Sequence, residues 1–307
     1  MSPRRVSPTS GQAGEKTKSG EQSPGALTFL GLSLAGGKTD KACLVVLDYF
    51  PDQRRLFFKQ TYEKIKSEGE LSGDLKLYEI LRLYQGQAQS LTLDIPWKLP
   101  PCLRCQLVCP GYEQCKEPHI QWMWTHHREK RIKKRPQKLF TPYTQRCVEF
   151  YFQAELEDTF YLPHAMGANS APLLARAAFL VRRFPDMKLL EGAPRVSLWR
   201  LGNSLRFLKS HLRNYKHSTV GQQTRRSLLL AFSKADWMFT YEQDRKILIE
   251  NAHAFDALLL AYTGFLNFKG LTEPRPSGFP ENEDWIEIPL VSLPWKDIGK
   301  KEGYSHG

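Results

Sequence analysis

One stretch limits the possible folds more than any other: Glu250 to Leu266, ENAHAFDALLLAYTGFL. It is an almost wholly apolar helix, so the rest of the chain must pack round most of its surface. Asp256 sits inside it. An ionised side chain on a buried face is costly unless something pairs with it, and the natural partners are a metal ion or a cation. Two more carboxylates close short apolar runs, Asp94 in SLTLDIPW and Glu191 in MKLLEGAP. Each reads as the end of a buried strand before a Pro or Gly turn, where side chains emerge at the carboxyl edge of a sheet. The pattern predicts that Asp94, Glu191 and Asp256 converge on one site.

The remaining elements follow from local patterning. Residues 27–35 and 42–49 are apolar β-type runs separated by GGKTDK, a hairpin signal, and RRLFFKQTY follows the turn at 51–53 as a third strand. GDLKLYEILRLYQG, residues 73–86, has helical spacing and leads into SLTLDI, which the helical crossover sets parallel to the first strand. After residues 97–147, read as an insertion, VEFYFQAELE is mixed in character. Helices are expected over SAPLLARAAFLVRRF, Ser204–Lys216 and Gln222–Phe232, a buried strand over 187–192, and an edge strand in DWIEIPL.

With 307 residues the chain can bury a sizeable core. It contains no run of about 18 apolar residues, the minimum for a membrane span. Residues 1–25 are rich in Ser, Pro and Gly and contain no aromatic residue, so they read as a disordered tail without the apolar core of a secretion signal. These features predict a cytoplasmic protein. The core domain spans 26–272, interrupted by the insertion 97–147, and 273–307 is a Pro-rich C-terminal extension.

The insertion concentrates two kinds of chemistry. Cys102, Cys105, Cys109 and Cys115 follow a C-x2-C-x3-C-x5-C spacing. Short turns between thiolates let them face one tetrahedral Zn²⁺, with an iron–sulfur cluster or free thiols as the other readings and His119 as a possible replacement ligand. From Lys98 to Cys147 there are eleven Lys/Arg against three Asp/Glu, a net +8 in a chain of net +12. Trp122, Trp124, His126 and His127 precede Arg128, Lys130, Arg131, Lys133, Lys134 and Arg135. Aromatic faces can stack on bases while the cations neutralise phosphates, which points to nucleic acid; alternatively, the two Trp pack a small core of the insertion itself.

FLGLSLAGGKTDKACLVVLDY, LTLDIPWKLP, KLLEGAPRVSLWRLG and HAFDALLLAYTGFL, with FTPYTQRCVE as a weaker segment, resemble the domain of unknown function 429 family. Its members are predicted nucleases. The resemblance implies an α/β chain of ribonuclease-H-like fold, a mixed sheet with flanking helices, here carrying the Cys-rich basic insertion. It also implies Asp94, Glu191 and Asp256 as ligands of Mg²⁺ or Mn²⁺ in a metal-dependent hydrolase acting on nucleic-acid phosphodiesters. Two-metal chemistry needs several hard oxygen ligands around ions roughly 3.5–4 Å apart. The family's first strand carries an Asp at the position of Ser33, and neither Asp40 nor Asp48 is placed to replace it. The alternative expectation is therefore a catalytically decayed, nucleic-acid-binding module.

Overall fold

The computed structural model describes residues 25–35, 41–131, 139–158, 160, 162, 164–167, 170–294 and 298. The 36–40 turn, most of the N-terminal tail and Lys133, Lys134 and Arg135 lie outside the described residues, as do the side chains of Lys130 and Arg131. Strands β1 (Leu27–Ala35), β2 (Lys41–Phe50) and β3 (Arg55–Ile65) form the expected antiparallel meander. Helix α1 (Gly73–Arg82) starts where the Ser72 side chain accepts from the Leu75 N–H, and it crosses to β4 (Ala88–Leu93), parallel to β1.

The insertion supplies α2 (Pro101–Arg104), α3 (Pro118–Arg131) and the beginning of α4 (Cys147–Glu155). Then come α5 (Ala171–Val181), β5 (Leu189–Gly192), α6 (Pro194–Ser204), α7 (Lys209–Arg213), α8 (Thr219–Lys234), β6 (Met238–Phe239), α9 (Glu242–Glu250), α10 (Ala252–Phe268) and β7 (Ile286–Glu287). The product is an α/β molecule whose seven-stranded mixed sheet has the order β6-β3-β2-β1-β4-β5-β7. Among the described residues no helix is long and apolar enough to cross a membrane.

Alternation along β1 divides the core. Leu30, Leu32 and Leu34 face a cluster with Leu77 and Leu81 of α1 and Ala177 and Leu180 of α5. Phe29 faces the opposite layer, where α10, α8 and α6 pack through Phe255, Leu258, Tyr262, Phe232 and Leu198. Gly31 lies on that side too, and its lack of a side chain lets α10 approach the strand closely. All residues from Ala254 to Leu266 are buried, as the apolar pattern requires.

Two readings of the sequence are corrected. VEFYFQAELE is helix α4, begun by a capping box in which Glu149 accepts from the Arg146 N–H. PRVSLWRLGNS is helix α6, entered through Pro194 directly after β5, so the helix expected over Ser204–Lys216 contracts to α7. The aromatic insertion is a packing unit. Trp124 meets Phe140 edge-on at 4.7 Å and Trp122 stacks on His126 at 5.0 Å, in a cluster completed by Phe150, Trp285 and Ile286. That cluster joins the insertion to β7 and to the strand edge beside β5.

Candidate carboxylate site at the sheet edge

The carboxyl ends of the parallel strands bring Ser33, Asp94 and Glu191 to one edge, and the first turns of α10 bring His253 and Asp256. Asn251 caps α10 by accepting from the His253 and Ala254 N–H groups, which fixes where the helix starts relative to the sheet. His253 and Asp256, three residues apart, then share one face of the helix.

Each carboxylate has protein partners. Ser33 Oγ donates to Asp94 Oδ2 at 2.8 Å, and the Leu34 N–H donates to Oδ1 at 3.2 Å. Ser33 Oγ also lies 3.4 Å from His253 Nδ1. The buried Asp256 accepts from Tyr215 Oη at 2.6 Å, and Lys216 Nζ lies 2.5 Å from its other oxygen, an ion pair without hydrogen-bond geometry. Of the two partners a buried carboxylate can have, metal or cation, Asp256 therefore has the cation. Glu191 is met end-on by Arg146, with Nη1 and Nη2 each 2.7 Å from one carboxylate oxygen. The same guanidinium donates through Nε to Glu149 at 2.7 Å, so a Glu149–Arg146–Glu191 chain crosses the interior.

Asp94 and Asp256 are electrostatically coupled. Desolvation, followed by the charge of Asp256, pushes the Asp94 carboxyl up to about 7, against the hydrogen bonds from Ser33 and Leu34. Desolvation also lowers His253 below its ordinary value, partly opposed by Asp256. Glu191 is raised by burial, with Arg146 opposing, and the carboxylates that act on it most are Asp284 and Glu149. The structure thus brings Asp94 and Asp256 together with Ser33, while Glu191 belongs to the Arg146 chain.

A raised carboxyl favours the folded state at low pH and loses that contribution as pH rises through the folded value. Asp94 should therefore make wild-type stability fall between about pH 4 and pH 7 and level off above it. Because its side chain is part-exposed, the slope should amount to about 1–2 kcal/mol, less than the roughly 4 kcal/mol of a three-unit shift. Asp94→Asn should remove the slope, and denaturant unfolding of both proteins from pH 4 to 8 checks this.

The four cysteines of the insertion line one cavity of about 470 Å³, together with His119, Glu117 and Tyr112. All four are free, with Cys105 and Cys109 exposed. Burial, then Cys115, Cys109 and Cys105, pushes the Cys102 thiol up to about 11, so it is protonated at neutral pH. Among the described residues no three His, Cys, Asp or Glu side chains are grouped to hold a metal ion. The expected Zn²⁺ at the cysteines and Mg²⁺ or Mn²⁺ at the carboxylates therefore have no preformed ligand group of this kind among the described residues. In the basic segment, Arg128 is exposed and its Nε bonds the Trp124 carbonyl.

Sequence reasoning missed Tyr215, Lys216, His253 and Arg146. His253 had a usable signal in its helical spacing to Asp256, and Arg146 had a weaker one in its place within FTPYTQRCVE; Tyr215 and Lys216 reach the site from a segment with no chemical motif. Comparison with family models, with curated proteins and with solved structures finds no match, so the functional reading rests on this geometry.

Proposed function

We propose that the chain is a nucleic-acid-binding protein on a ribonuclease-H-like core whose catalytic edge is closed by its own side chains. The strand order β3-β2-β1-β4-β5, with β2 antiparallel to its neighbours and β4 and β5 parallel to β1, supports the fold reading. One observation carries the functional reading: every carboxylate of the expected metal site has a protein counterpart. Ser33 and Leu34 satisfy Asp94, Tyr215 satisfies one oxygen of Asp256 while Lys216 pairs with the other by charge alone, and Arg146 satisfies Glu191. A Ser hydroxyl is a poor bridge between two hard cations, and Lys216 supplies the positive charge a metal would otherwise bring to Asp256.

The net charge of +12 supplies the electrostatic basis for binding a polyanion. The reading predicts binding of labelled nucleic acid by fluorescence anisotropy at low salt, weakening linearly on a log–log salt plot, with the strand left intact in Mn²⁺. Salt-insensitive binding, or none, would count against it.

The metal-dependent hydrolase remains as a second reading on a specific observation. Asp94 and Asp256 are close enough to repel, and a divalent cation between them would relieve that repulsion. Under this reading Mn²⁺-dependent cleavage appears in the wild type and disappears in Asp94→Asn.

A further inference from the structure

The insertion is not the only basic part of the chain. Residues 192–235 contain nine Lys/Arg and no Asp or Glu, a net +9 over α6, α7 and α8. Two of the nine have internal duties. Arg200 is buried and pairs with Glu157 and Glu273, and the buried Arg225 donates to the Tyr215 and Ile249 carbonyls. The other seven are exposed.

Four of these lie on α6, on α7 and just after α7, and two of the four act at the carboxylate edge. Lys216 reaches Asp256, and the charge of Arg195, three residues past the end of β5, acts on the Tyr215 hydroxyl that holds the same carboxylate. Trp199 lies one turn beyond Arg195 on α6, and over its ring stand Lys209 Nζ at 5.6 Å and Arg213 Cζ at 5.4 Å. Arg213 meets Asp158, whereas Arg195 and Lys209 make no ion pair among the described residues. The α6–α7 arm thus presents cations with no carboxylate of its own to neutralise them.

We propose that this arm, through Arg195, Lys209, Arg213 and Lys216, is the surface that takes the phosphate backbone of a nucleic acid and lays it across the Ser33–Asp94–Asp256 edge. The proposal rests on the nucleic-acid reading above and assigns its contact surface to α6–α7 in place of the α3 segment. Long cationic side chains on short helices suit sequence-independent phosphate contacts, because each releases a condensed counterion whatever the base sequence. The cation lying over the edge is Lys216, so a bound backbone would compete with Asp256 for its ammonium.

The test compares two full-length double variants, Arg195→Gln with Lys209→Gln, and Arg128→Gln with Lys130→Gln in α3. Arg195, Lys209 and Arg128 are exposed, and unchanged thermal unfolding confirms that each variant is folded. Anisotropy is read with a labelled single strand and a labelled duplex over a salt series. The arm variant should bind roughly tenfold more weakly, with a salt slope shallower by about 1.4 on single strands and about 1.8 on duplex, two phosphate contacts' worth. The α3 variant should change less. Wild-type binding with an arm variant unaltered in affinity and slope overturns the arm and leaves the nucleic-acid reading standing. Absence of wild-type binding at low salt overturns both.

Discussion

Replacing Arg146 with Met should destabilise the protein by about 3–5 kcal/mol, the cost of leaving buried charges without their counter-ion. Arg146 is 1% exposed, between Glu149 at 0% and Glu191 at 2%. Glu149 has burial acting to raise it, but His164, Arg146 and the Ala165 N–H together hold it below the ordinary carboxyl range. Without the guanidinium, both carboxyls would be driven upward by burial and would take up protons on folding. The variant's deficit should therefore be largest near pH 8 and shrink towards pH 4, because a group with a raised folded value contributes its stability below the unfolded value. Urea unfolding at the two pH values measures this. A triple variant, Arg146→Met with Glu149→Gln and Glu191→Gln, should recover much of the loss. If Arg146→Met alone proves neutral at pH 8, Glu191 is not held as described.

Gly31→Ala is expected to cost at least as much as ordinary overpacking, about 3 kcal/mol or more. A Cβ there would stand 2.0 Å from the Ala257 carbonyl oxygen and 2.3 Å from the Ala261 nitrogen. Both are backbone atoms of α10, so no rotamer change relieves the clash; the helix must move off the strand. That movement carries Asp256 and His253 away from Ser33, whose side chain lies on the same face of β1 two residues on. The check is again urea unfolding, together with loss of the Asp94 pH slope as its partners withdraw. A stable variant with an intact slope would mean that α10 does not seat on Gly31.

The sheet was legible in the sequence because its strands are short apolar runs bounded by turn chemistry, and the helical crossover dictates a parallel β4. The buried α10 was legible for the same reason. Boundaries within 143–216 were not, because α4 serves a third cluster shared with the insertion and the C-terminal extension and α6 divides its apolar residues between that cluster and the α10 layer, which no single window reveals. The edge strand β6, two residues long, had no readable signal.

At the site, Asp94 and Asp256 could be read from their isolation among apolar residues, and Ser33 from the resemblance of the first strand to a family pattern. Their partners could not. Tyr215 and Lys216 come from the connection between α7 and α8, and whether a carboxylate meets a metal or a lysine is decided by tertiary placement. The same holds for Glu191: its strand position was evident, whereas its pairing with Arg146 spans 45 residues. The basic run 192–235 escaped notice because its charges are dispersed among apolar core positions instead of forming a block.

We propose that protein groups pair with the carboxylates of the sheet edge and that the chain binds nucleic acid without cutting it. The most direct measurement is a gel-resolved time course of labelled single-stranded, duplex and branched substrates with saturating protein and Mn²⁺, with binding confirmed by anisotropy in the same samples. The account predicts substrate that is bound and uncut in the wild type, with no change in Asp94→Asn. Mn²⁺-dependent cleavage that Asp94→Asn and Asp256→Asn abolish would contradict it.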